Sequence, residues 1–291
     1  MIFVTGDTHG AHRNGFNSVD GYMHRFNTNA FPEQHNMTKD DFVIIAGDFG
    51  GIWQTDNINA QESNSEKYEL DWLESKPFTT LFIPGNHENY DRLTGNTDKK
   101  LLDCWLFEKL TPEGRTRLEK GYPKKAWHGG FVREIRPSVL MLEHGYVYDI
   151  NNCSIFAFGG AQSHDISDGI LNPYDFESNK EFTKKYNQVK WGMVRVNGVS
   201  WWKQEMPTQE IMDRGIKNAK NAGKVDYVIT HEAPASDKIL LGYEANDPLS
   251  RYFERIRDVM TYKTWFFGHM HINRRMSDNT IALYEQIIQI N

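Results

Sequence analysis

The sequence predicts an α/β protein, and three observations carry that expectation. Five short runs of β-branched and aromatic residues each end in glycine or polar residues, as buried strands do. Between them lie stretches with apolar residues at helical spacing. The polar residues that end the runs are aspartate, asparagine and histidine, and ligand groups in α/β proteins gather at the carboxyl ends of strands. A length of 291 residues alone suggests about two domains. The first and last motifs must nevertheless meet in space, so the expectation is a single catalytic domain over 1–291 with an irregular insertion at about 163–206.

Taken in order, Ile2-Phe3-Val4 runs into Asp7-Thr8-His9. Residues 11–40 are polar, with Phe16, Tyr22, Met23 and Phe26 as apolar anchors. Phe42 to Ala46 delivers Gly47-Asp48, followed by the glycine-rich turn Phe49-Gly50-Gly51-Ile52-Trp53. Asn64 to Ser75 suits an amphipathic helix ending before Pro77. Thr80 to Ile83 feeds Gly85-Asn86-His87-Glu88. Val139 to Leu142 and Tyr146 to Ile150 flank His144-Gly145, which predicts a hairpin, and Ser154 to Phe158 is a further strand. Residues 163–206 are polar and aromatic and read as a cover over the site or a dimer contact. Gln209 to Asn221 is a helix, and the strand from Val225 delivers His231. Leu249, Phe253, Ile256 and Met260 mark a helix expected to pack beneath the strand Thr264 to Phe267, which leads to Gly268-His269-Met270-His271. The alternation from Thr280 to Ile290 suits closing strands.

The formal net charge of -6 gives no global basic footprint for nucleic acid, although a localised groove stays open. Cys104 and Cys153 are the only cysteines and form no CxxC, which fits a reducing compartment and excludes a cysteine-based zinc site. No signal-peptide pattern and no apolar run near the roughly 20 residues of a membrane span are present, so the expected location is cytoplasmic, without a membrane partner.

The polar motifs carry the chemistry. Asp7 and His9 are two residues apart, as are His269 and His271, a spacing that in extended backbone sends both side chains to one side. Asp48 has two oxygens and can bridge two cations, Asn86 offers an amide oxygen, and His231 offers a ring nitrogen. Asp7, His9, Asp48, Asn86, His231, His269 and His271 are therefore the candidate metal ligands. A mixed Asp/Asn/His shell suits Mn²⁺, Fe or Zn²⁺ better than Ca²⁺, with Mn²⁺ taken first. Two such cations about 3.5–4 Å apart would clamp a phosphate and lower the pKa of a bridging water, whose hydroxide attacks phosphorus in line. His87 is the candidate acid for the leaving oxygen. Arg13 and Arg92 read either as phosphate contacts or as ion-pair partners. For Trp53, Trp201 and Trp202, core packing is favoured over stacking on a base.

These motifs, D-x-H, G-D, G-N-H-[DE], an isolated His and G-H-x-H, resemble the calcineurin-like metallophosphoesterase superfamily over nearly the whole chain. The resemblance implies a two-sheet α/β sandwich flanked by helices. It implies that Asp7, His9, Asp48 and His271 hold one metal, that Asp48, Asn86, His231 and His269 hold the other, and that His87 is catalytic. Phe158-Gly159-Gly160-Ala161-x-Ser163-x-Asp165 and Ser200-Trp201-Trp202-x-x-Glu205-Met206-Pro207 also resemble a bacterial or phage-type branch of small phosphoesterases. Protein Ser/Thr phosphatases carry an Asp-Arg pair where this chain has Gly51 and Ile52, so His87 needs another carboxylate, with Glu88, Asp91 and Asp165 as candidates. The function expected is a di-metal phosphohydrolase acting on a small phosphodiester or phosphomonoester, a nucleotide first. A nuclease, a protein Ser/Thr phosphatase and a non-catalytic scaffold are the alternatives.

Overall fold

The computed structural model describes residues 1–10, 21–54, 56 and 58–291; Arg13 and Phe16 lie outside them. The strands, in chain order, are β1 Ile2–Thr5, β2 Phe42–Ile45, β3 Thr79–Phe82, β4 Lys124–Trp127, β5 Gly130–Arg136, β6 Val139–Leu142, β7 Tyr146–Ile150 and β8 Cys153–Phe158. They continue with β9 Gly169–Leu171, β10 Val194–Val196, β11 Lys224–Thr230, β12 Thr261–Phe267, β13 Arg274–Ser277, β14 Thr280–Ala282 and β15 Ile287–Gln289. One sheet runs β15-β1-β2-β3-β6-β5-β4 and another β13-β14-β12-β11-β8-β7, while β9 and β10 form a separate two-stranded pair. In the first large sheet β1, β2, β3 and β6 are parallel, and in the second β8, β11, β12 and β14 are.

The apolar runs are continuous because the central strands are covered on both faces. Alternate side chains point to opposite faces of a strand. Ile2, Val4, Ile44, Ala46 and Leu81 therefore meet Ile155, Ala157, Ile229 and Phe266 in a core that includes residues of both large sheets. Phe3, Val43, Ile45 and Phe82 point the other way, to a core shared with Tyr22, Phe26, Leu70 and Leu73. Phe156, Phe158, Val228, Trp265 and Phe267 pack on Leu249, Tyr252, Phe253 and Ile256. The last four sit at the i, i+3, i+4, i+7 spacing of one helix face, and their helix, Pro248–Val259, lies against the strand it was expected to support. This is a mixed α/β fold of two large sheets flanked by helices, as the sequence predicts.

The helix expected at 64–75 spans Asn64–Glu74, and Ser63 and Glu66 close a reciprocal capping box at its start. The hairpin expected across His144-Gly145 does not form. The strands β6 and β7 belong to different sheets, so this turn carries the chain from one layer to the other. The true hairpin is β7–β8, which turns at Asn151 (φ 48°) and Asn152 (φ 62°), the left-handed pair that asparagine tolerates. Among the described residues no helix is long and apolar enough to cross a membrane.

Candidate metal centre

The loops that follow β1, β2, β3, β11 and β12 carry Asp7 and His9, Asp48, Asn86 and His87, His231, and His269 and His271, and they bring these residues together. One ligand-type atom from each of Asp7, His9, Asp48 and His271 lies within 4.8 Å of the others, and Asp48, His231 and His269 form a second such group. Asp48 belongs to both. The ring nitrogens face one another and acceptor oxygens: His9 Nε2 is 2.8 Å from His271 Nε2, which is 3.0 Å from Asp7 Oδ2. His231 Nε2 is 3.3 Å from Asp48 Oδ1 and 3.2 Å from Asn86 Oδ1. Lone pairs converging in this way on shared points make a donor set that fits divalent cations.

The expectation that these spacings act through extended backbone is corrected. The strands stop at Thr5 and Phe267, and His9 (φ 48°), Asp48 (φ 44°), His269 (φ 64°) and His271 (φ 51°) are left-handed. Such conformations cost of order 1–3 kcal/mol each and collect at functional sites. Backbone bonds hold them. Thr8 and His9 N–H donate to Asp48 O, His87 N–H donates to Asp48 Oδ1 at 2.8 Å, and His269 N–H donates to Asp7 Oδ1 at 3.0 Å. Glycine is needed beside them: a Cβ on Gly85 would lie 2.0 Å from Asp48 Oδ1, and one on Gly268 would lie 2.3 Å from Asp7 Oδ1.

Electrostatics reinforce the cluster. Burial pushes the Asp48 carboxyl up, but the charges of His231 and His87 hold it well below the ordinary value. Burial pushes His231 down, yet Asp48 and Asp7 raise it to about 10. Burial and the charge of His231 take His269 to about 3. The carbonyl of Ala46 can only accept, so at 2.9 Å it takes the Nδ1 proton of His231 and leaves Nε2 facing the centre once the ring is neutral.

His87 stands at the rim, with its ring 5.5 Å from that of His9 and 6.0 Å from Trp53. Of its candidate carboxylates, Glu88 accepts from Phe49 and Gly50 N–H, and Asp91 accepts from Trp202 Nε1 and Gln204. Asp165 is the one that binds Arg195, whose Nε is 2.9 Å from its Oδ2. Burial pushes the Asp165 carboxyl up, but Arg195 first, then His87 and His164, hold it low. A side chain at Gly51 would force the Phe49 ring to move, since its Cβ would fall 2.5 Å from that ring, and Ile52 is wholly buried.

Arg92 is buried away from the centre, pairing with Glu66 at 2.8 Å, which favours its ion-pair reading. Trp202 is a core residue at 1% exposure and packs edge-on against Trp53. Trp201 instead lines a cavity of about 930 Å³ together with Asp91, Arg133, Tyr174, Lys203 and Arg214. Sequence reasoning missed Arg25, which donates to Thr5 Oγ1, Gly6 O and Asp7 O beneath the first metal loop. It also missed Tyr284, stacked on His271 at 4.7 Å, and Glu232, which is 3.8 Å from His269 Nε2 and held by Lys238. Arg25 and Tyr284 lie in no motif and are identified only by their nearness to the candidate ligands in space, whereas Glu232 directly follows His231.

A cluster of Asp, Asn and His at the strand ends of a two-sheet α/β protein fits a metallophosphoesterase. Residues 1–273 match the family model for calcineurin-like phosphoesterases, and the chain belongs to that family. It is a hydrolase family acting on phosphoesters. No curated protein matches the chain.

Proposed function

We propose that this chain hydrolyses a small phosphoester, a nucleotide or similar phosphodiester or monoester, with two divalent cations, Mn²⁺ first. The observation that carries the reading is Asp48, the one residue shared between the two groups of ligand-type atoms. Asp7, His9, Asp48 and His271 would hold one cation, and Asp48, Asn86, His231 and His269 the other. Bound there, they supply Lewis-acid clamping of phosphate and a water acidic enough to attack at neutral pH. The residues of the chain do the rest. His87 gives its proton to the leaving oxygen, and the Asp165–Arg195 pair sets the charge around it. The Gly51 and Ile52 that stand in place of an Asp-Arg pair disfavour grip on a bare phosphoserine, so affinity must come from the remainder of the substrate.

Burial of Trp202 removes it as a stacking surface, and half-buried Trp53 beside His87 takes that place. The test compares kcat/KM for nucleotide phosphoesters, phosphopeptides and a small chromogenic diester, with Mn²⁺ added, in wild type and Trp53→Ala. Nucleotides should exceed phosphopeptides, and Trp53→Ala should reduce nucleotide turnover by the roughly 5- to 150-fold that a lost base stack of about 1–3 kcal/mol implies. Chromogenic turnover should hold. Phosphopeptides turned over best would refute this substrate class.

A further inference from the structure

Two sequence motifs outside the ligand set meet in the fold. Ser163, from the first, and Glu205, from the second, are buried at 6% and 1% exposure. Glu205 grips Ser163 twice: Oε1 accepts from the backbone N–H at 2.9 Å and Oε2 from the hydroxyl at 2.7 Å. Ser163 Oγ in turn lies 3.4 Å from Asn86 Nδ2.

The order of donors matters. Burial pushes the Glu205 carboxyl up to about 7, so above that pH it is ionised and only accepts, and the single hydroxyl proton of Ser163 is then committed to Glu205. Its Oγ then presents only lone pairs to Asn86, and these suit the NH₂ end of the amide and repel the oxygen end. The amide is thereby turned so that Oδ1 points at the metal group, 3.2 Å from His231 Nε2. The opposite rotamer would aim two N–H donors at a cation and remove one oxygen ligand.

Resting on the di-metal reading above, we propose that Ser163 and Glu205 are positioning residues that fix the orientation of the Asn86 amide and so set the affinity of the second cation site. Neither touches substrate. The segment 163–206, read from the sequence as a cover over the site or a dimer contact, thus completes the shell of one metal.

Above about pH 7, where Glu205 is ionised, the test titrates metal-stripped full-length protein with Mn²⁺ by calorimetry, and follows the spin-coupled Mn²⁺ pair by electron paramagnetic resonance. Wild type should take up two ions and show the coupled signal. Glu205→Gln, which can donate to Ser163 and free its proton to point at Asn86, should weaken the second ion by about 10–100-fold, as loss of an outer hydrogen-bond partner typically does. Ser163→Ala, a smaller change that spares the fold, should do the same. The ion held by Asp7, His9 and His271 should keep its affinity in both variants, and the coupled signal should fade at Mn²⁺ levels that saturate wild type. Retention of both affinities in the two variants would overturn the proposal, as would equal weakening of both ions, the mark of a merely structural role. A wild type that binds fewer than two ions would instead refute the di-metal reading itself.

Discussion

At the scale of the residue, the proposed reading separates His87 from the candidate ligands by role and not by distance. It follows Asn86 directly, its N–H is tied to Asp48 Oδ1 at 2.8 Å, and its ring faces Trp53 and His9 at the rim. His87→Asn should leave Mn²⁺ uptake intact and lower kcat by about 10²–10⁴-fold on substrates with a basic leaving group. The loss should shrink for a nitrophenolate leaving group, which departs without a proton. Steady-state kinetics against leaving-group pKa measure this, and an equal loss across the series would mean that His87 binds substrate instead. The candidate ligand residues were legible in the sequence because each ends an apolar run in a short motif. Arg25, Tyr284, Ser163 and Glu205 were not assigned roles, because an arginine beneath a loop or a serine facing an amide has no local signature. Their work exists only once residues distant in sequence are adjacent.

At the scale of the element, the central strands announced themselves since burial on both faces makes each run wholly apolar. The crossing between β6 and β7 did not. Glycine after histidine between two apolar runs looks like a hairpin, and only the sandwich decides that the runs lie in different layers. His144 secures that crossing: it is 4% exposed, and its Nδ1 accepts from Gly159 N–H at 3.1 Å. Burial takes its pKa down to about 4, with Glu143 opposing and Arg214 assisting. Between the ordinary value of about 6.5 and this lower one, the unfolded chain binds a proton that the folded chain refuses. The stability that His144 contributes is therefore present above about pH 6.5 and lost as pH falls toward 4. Urea midpoints at about pH 7.5 and about pH 5 should fall further for wild type than for His144→Gln, whatever the variant costs at either pH. Parallel falls would mean that His144 titrates alike in both states.

At the scale of the whole molecule, the centre is where the two large sheets meet. Asp7, Asp48, Asn86 and His87 follow strands of the first, and His231, His269 and His271 follow strands of the second. Cations bound to this set therefore tie one sheet to the other, and they balance two fully buried carboxylates that otherwise rely on histidine charge. The sheets also share bonds that need no metal, such as His231 to Ala46 O and His269 N–H to Asp7, together with an apolar core between them. Chelation should accordingly destabilise the protein without unfolding it. A ligand at about 100 times its Kd adds about 2.7 kcal/mol, which in a chain of this size corresponds to a rise in Tm of roughly 5 °C, less whatever the unfolded histidines and carboxylates bind. Calorimetric scans with EDTA, and then with Mn²⁺ restored, should show that rise return, and it should be smaller in Asp48→Asn, where the shared ligand has lost its charge. A midpoint indifferent to both EDTA and Mn²⁺ would mean that the two sheets are held by protein contacts alone, and that the cluster at their junction holds no metal.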